Sequence, residues 1–167
     1  MNALKKIRNI KGFTLVELII YMGIMMVLIM ILTDILVAVL ATQLSSQSTS
    51  QVSQDGRYIY TRLIYDVNRA QSVLLPLNLG ETSNSLQATI NGTVYTYSLS
   101  GGNLVVTDPN GTDQLNSIDS SVSGLQFKRI GNQNGKNTFQ INFTVISKIQ
   151  TKGVTDQEIF QTTAGLR

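Results

Sequence analysis

The chain has 167 residues, 43% of them hydrophobic and 14% charged, with no His and no Cys. That length suits one small domain, or a smaller domain joined to an anchor. The missing residue types exclude disulfides, thiol catalysis, His-based triads and the commonest zinc sites. The formal net charge of +3 misleads, because Lys5, Lys6, Arg8 and Lys11 all precede Gly12, and the basic residues after it are outnumbered by the 10 acidic ones. The basic character belongs to the first dozen residues, which disfavours nucleic acid as a ligand of the rest, DNA included.

Apolar density is concentrated in Phe13–Ala41, where no Lys or Arg occurs and neither Pro nor a run of turn residues intervenes. As a helix this stretch reaches about 43 Å at roughly 1.5 Å per residue, enough for a bilayer core of about 30 Å. Basic residues before it and none directly after it predict a cytoplasmic start and an exported C-terminal part. A secretory signal peptide, with Val39-Leu40-Ala41 as a small-residue cleavage site, competes with this reading. Its apolar core would be only about 7–15 residues long, and the acids Glu17 and Asp34 do not belong in one. A plain signal anchor explains the length but has no use for Glu17. A carboxylate costs roughly 2.5–3.5 kcal/mol at mid-bilayer depth, less near an interface.

The string Lys11-Gly12-Phe13-Thr14-Leu15-Val16-Glu17-Leu18 resembles the type IV prepilin motif of pilins, minor pilins and type II secretion pseudopilins. The resemblance implies that a prepilin peptidase cuts after Gly12 and that the new N-terminal Phe13 is methylated. It implies a role for Glu17 in assembly, paired with the Phe13 ammonium of a neighbouring subunit. Read without the family, Glu17 is a snorkelling interfacial acid. Asp34 either contacts a cation on a partner subunit or marks where the helix leaves the bilayer, and the second is preferred. Met22, Met25, Met26 and Met30 supply adaptable apolar surface rather than a ligand set. The first Pro is Pro76 and there is no Cys. Many major pilins have a Pro in the hydrophobic stretch and a disulfide-closed loop, so the departures favour a minor pilin or pseudopilin.

Thr42–Gln54 is polar and reads as a linker or as continued, solvated helix; its flanks favour helix. Val52, Ile59, Leu63, Val67, Ala70 and Leu74 recur at helical spacing as one apolar stripe, with Arg57, Arg62, Asp66 and Arg69 mainly on other faces. Gly56 weakens or bends the helix and Pro76 ends it. Beyond Pro76 the period is two. Leu86–Ile90, Asn91-Gly92 and Thr93–Leu99 form a hairpin signature. Asn103–Thr107 follows Gly101-Gly102 and is closed by Asp108-Pro109-Asn110-Gly111. Leu125–Ile130 and Thr138–Ile149 form another pair around Gly131–Asn137, with Phe139, Ile141, Phe143 and Val145 on a buried face. The class is α+β: a long N-terminal helix, transmembrane in its first half, packed on a C-terminal antiparallel β-sheet. The organisation is a cleaved basic leader (1–12), an apolar helix (13–41), an amphipathic continuation (42–75) and a β-domain (76–167).

Residues Arg57–Ala70 and Phe160–Arg167 resemble the corresponding helix and final strand of J-type minor pseudopilins and related minor pilins. No phosphate-cradling Gly motif appears, so no enzyme and no cofactor are expected. Asn91, Asn110 and Asn142 fit the glycosylation triplet, and Asp108, Asn110 and Asp113 could hold a calcium ion, but tight turns explain most of these residues better. The resemblance implies as partners other pilin subunits, a prepilin peptidase, an inner-membrane assembly platform, and membrane lipid before assembly. It implies a structural subunit in an initiation or tip complex, and hence a life first in the inner membrane and then in a pilus or pseudopilus. The alternative is an anchored or tip-borne binding module whose β-domain recognises a surface, a polysaccharide or DNA.

Overall fold

The computed structural model describes residues 12–131, 136–151 and 153–166. The basic leader residues Lys5–Lys11 and part of the expected Gly131–Asn137 turn lie outside them. One helix, α1 (Leu15–Arg69), is followed by β1 (Ser72–Leu75), β2 (Thr82–Ser83), β3 (Leu86–Ile90), β4 (Thr93–Ser100), β5 (Asn103–Asp108), β6 (Gly111–Gln114), β7 (Ser120–Ile130), β8 (Thr138–Thr151) and β9 (Val154–Gly165). The fold is α+β, as the sequence predicts. The chain divides into two compact units between Leu40 and Ala41.

In the first unit the described residues are helix from Leu15 onward. From Gly12 to Leu40 every side chain is exposed except that of Glu17, which is half-buried. Among the described residues of this unit, the apolar side chains of the helix are not covered by a core.

In the second unit α1 buries Ser48, Val52, Gly56, Ile59, Leu63, Asp66 and Val67 along one stripe. The spacing of three and four residues is that of a single helix face. These side chains join a core with Leu86, Tyr97, Leu104, Phe127, Phe139, Ile141, Phe143 and Val145. A buried Leu or Phe of this kind contributes about 1.5–3 kcal/mol relative to exposure.

The strands form two antiparallel sheets rather than the single one expected, in the orders β1-β3-β4-β5-β6 and β2-β7-β8-β9. A hydrogen bond from Val122 N to Gly102 O (2.8 Å) ties them at the β4–β5 turn. The Asn91-Gly92 hairpin forms as read, with φ of 51° and 79°, the left-handed pair that a type I′ turn requires. On β8, Phe139, Ile141, Phe143 and Val145 are all buried, as their alternation predicts.

Three readings need correction. The helix expected to reach residue 75 ends at Arg69, and Ser72–Leu75 is a strand paired with β3. Gln71 N donates to Thr89 O (2.8 Å), drawing the chain into the sheet before Pro76 could end the helix; Leu75, directly ahead of that proline, is also disfavoured in helical conformation. Strand β7 starts at Ser120, not Leu125, because a bulge between Ser123 and Gln126 breaks the alternation; Gly124 takes φ of 62° there. Asp66, assigned to an outer face, is buried.

Asp66 Oδ2 accepts hydrogen bonds from Arg62 Nε (2.6 Å) and Tyr97 OH (2.5 Å). This satisfies a buried carboxylate that would otherwise be costly. Burial works against the Arg62 charge, but the Asp66 carboxylate outweighs it and raises the guanidinium pKa. Burial, and then the hydrogen bond to Asp66, raise the Tyr97 phenol pKa well above its ordinary value. The folded protein thus binds the phenol proton more tightly than the unfolded chain. The resulting stability is present below about pH 10 and is lost as pH rises beyond it. Unfolding measured across alkaline pH should show wild-type stability declining above about pH 10 and a shallower decline in Tyr97→Phe. Equal slopes would contradict the assignment.

Helix α1 runs through Gly56 unbroken, and Gly56 receives the Phe160 ring. A Cβ there would lie 2.0 Å from Phe160 Cζ, and that ring stacks on Phe143 at 5.2 Å and 12°. Gly56→Ala gains about 1 kcal/mol of helix propensity and loses about 1–3 kcal/mol to overpacking. Denaturant melts should show a net loss of about 1 kcal/mol, relieved when Phe160→Leu is added. A stabilised Gly56→Ala would show that the ring moves aside without cost.

Candidate functional site

The residues singled out at the start of the apolar stretch lie together at the N-terminus of α1. Gly12, Phe13 and Thr14 precede the helix and are exposed, Phe13 to 75%. Thr14 caps it: its Oγ1 accepts from Glu17 N at 3.3 Å, and its carbonyl accepts from Leu18 N at 3.2 Å. Thr14 and Glu17 have the spacing of a capping box. Glu17 is the acid of the first turn, where the helix dipole favours negative charge. The helix therefore stops short of the Gly12–Phe13 peptide, which stays outside its hydrogen-bond ladder.

Glu17 does more than cap. Its Oε1 accepts a hydrogen bond from Tyr21 OH at 3.2 Å. The Tyr21 ring stands edge-on to Phe13, with centroids 6.1 Å apart at 74°. Glu17 and Tyr21, four residues apart, share one helix face, and Phe13, ahead of the helix, reaches the Tyr21 ring. Tyr21 escaped the sequence reading, although its i+4 spacing from Glu17 was a visible signal.

Asp34 is not part of this cluster. It lies about 25 Å further along the helix, at roughly 1.5 Å per residue, and its exposed carboxylate has no hydrogen-bond or ion-pair partner among the described residues. Nearby Thr33 turns its hydroxyl back on its own helix, onto Ile29 O at 2.8 Å. Met22, Met25, Met26 and Met30 are 56–70% exposed, an apolar surface as expected. The best 18-residue window of α1 has a mean hydropathy of 2.8, so the helix is long and apolar enough to cross a membrane.

Residues 7–33 match the prokaryotic N-terminal methylation motif. The matched span holds Arg8, Lys11, Gly12, Phe13, Glu17 and Tyr21, and it ends inside the apolar helix. It supports a prepilin-type processing and methylation segment at this end of the chain. With the apolar helix it fits a single-pass inner-membrane protein. No curated protein matches the chain, and no solved structure does.

In the second unit the polar residues are mostly committed to structure. Asp55 Oδ2 accepts from Ser117 N (3.1 Å), Ser117 Oγ (2.6 Å) and Ser120 Oγ (2.5 Å). Asp108 Oδ1 accepts from Asn110 N (2.8 Å) and Gly111 N (3.0 Å), which makes the suggested calcium cluster a tight turn. Among the described residues no group of three or more Asp or Glu is arranged to hold a metal ion.

Proposed function

We propose that the chain is a precursor cut between Gly12 and Phe13, methylated on the Phe13 amine, and assembled as a minor pilin or pseudopilin. Its destination would be a type IV pilus or a type II secretion-like pseudopilus, in an initiation or tip complex. The observation that carries this is the prepilin methylation match over a helix start where Gly12–Thr14 is exposed and non-helical. A peptidase needs extended backbone, and a scissile bond inside a helix would first have to be unwound. Gly12 adds no side chain to obstruct approach.

Cleavage frees an α-amine whose reference pKa is about 7.7–8.0, so it is largely cationic near neutral pH. Methylation preserves the capacity for charge. That amine would lie at the positive end of the helix dipole, an unfavourable position for a cation. An acid on another subunit's helix is the natural compensation, and Glu17 is the one acid in the first turn. At 4 Å and an effective dielectric of 20 the pair is worth about 4 kcal/mol before desolvation. The pair opposes arbitrary stagger, since a buried charge without its partner is costly. The basic leader would hold the N-terminus in the cytoplasm and the second unit would be exported. Asp34 is proposed as the point where the helix leaves the bilayer, or as a second contact with a partner's cation. The absence of Cys, and of Pro before Pro76, favours a minor over a major subunit. The helix and final-strand likeness to J-type pseudopilins points the same way.

The test is incorporation. Glu17→Ala at native expression should be processed and inserted normally, yet enter sheared filaments about ten-fold less or worse, as expected for breaking a buried ion pair. Normal incorporation would refute the pairing of Glu17 with Phe13.

A further inference from the structure

A carboxylate in an apolar helix poses a problem before assembly, when no neighbouring amine is present. Among the described residues of the first unit, one group addresses it. Tyr21 OH donates to Glu17 Oε1 at 3.2 Å, and Glu17 is the one residue between Gly12 and Leu40 that is not exposed. Tyrosine suits the task because its ring is apolar and its tip polar, so it can lie against lipid while its hydroxyl reaches an acid. The Phe13 ring meets the Tyr21 ring edge-on at 6.1 Å, and this contact limits the positions Tyr21 can adopt.

We infer that Tyr21 is a positioning residue for Glu17: its hydroxyl holds Oε1 while the subunit waits in the membrane, leaving Oε2 for the cationic amine of a neighbouring subunit. This rests on the assembly role given to Glu17 above. An ionised carboxylate has about four lone-pair sites on two oxygens, so one phenol does not saturate it. The phenol donates without adding charge, so it stabilises the acid without competing for the ion pair. Phe13 is then both the source of the amine and the ring that steadies Tyr21.

Tyr21→Phe removes the hydroxyl alone and retains the ring against Phe13. Incorporation into filaments should be compared in wild type, Tyr21→Phe, Glu17→Ala and the double variant, with processing at Gly12–Phe13 followed in each. Tyr21→Phe should be processed normally and incorporated about ten-fold less, the factor carried by one hydrogen bond to a charged group. In the Glu17→Ala background the same change should have no further effect. Infrared spectra of 13C-glutamate-labelled protein in bilayers give a direct readout. The Glu17 carboxylate band, isolated by subtracting the Glu17→Ala spectrum, should shift in Tyr21→Phe. Normal incorporation of Glu17→Ala would overturn the role of Glu17 and this inference with it. An impaired Glu17→Ala would leave that role standing. The inference alone would then fail if Tyr21→Phe were harmless, if it were equally harmful without Glu17, or if the band did not move.

Discussion

The exposed apolar surface from Leu15 to Leu40 is the constraint on which the rest depends. Its large aliphatic side chains are all at least 46% exposed, and exposure of that extent is not stable in water. Lipid, or in the proposed assembly the helices of other subunits, would cover it, and serving in both settings requires that its few polar groups tolerate both. Glu17 is the critical one. Lipid penalises its charge, whereas in the proposed pairing a neighbour's amine would turn that charge into a means of setting register. In that proposal the hydrogen bond from Tyr21 would let one side chain meet both conditions.

Beyond Leu40 the same helix obeys a different rule. Its stripe from Ser48 to Val67 is covered by two sheets, and buried or half-buried contacts, polar and apolar, align it on them. Asp66 is tied to Tyr97 on β4, Asp55 to Ser117 and Ser120 before and at the start of β7, and Gly56 accepts Phe160 from β9. Sliding the helix by one turn would strand two carboxylates and drive a side chain into an aromatic ring. Apolar burial supplies most of the stabilisation, and these contacts supply the register.

Much of this was legible in the residues. The helix, the Asn91-Gly92 hairpin and the buried face of β8 follow from periodicity and turn chemistry, which are local. The Gly12–Phe13–Glu17 pattern was legible for the same reason, since all its parts lie within one turn of helix and its approach. What escaped depends on distant partners. Helical spacing continues through Ala70 and Leu74, but Thr89 captures Gln71 and turns the segment into strand. Asp66 looks like a surface residue until Tyr97, far along the chain, is brought against it. Gly56 reads as a weak point in a helix until Phe160 occupies the space that its missing side chain leaves. The division of the strands into two sheets rests on long-range strand pairings that alternation cannot reveal. Tyr21 is different: its distance from Glu17 was plain, and only its hydroxyl's partner was not.

The most direct measurement is the mass of the N-terminal peptide of the mature protein, isolated from membranes or filaments of cells that make it. The account predicts a chain beginning at Phe13 with a methylated amine. A chain retaining Met1–Gly12, or one beginning at Thr42 after removal of the whole apolar segment, would contradict it.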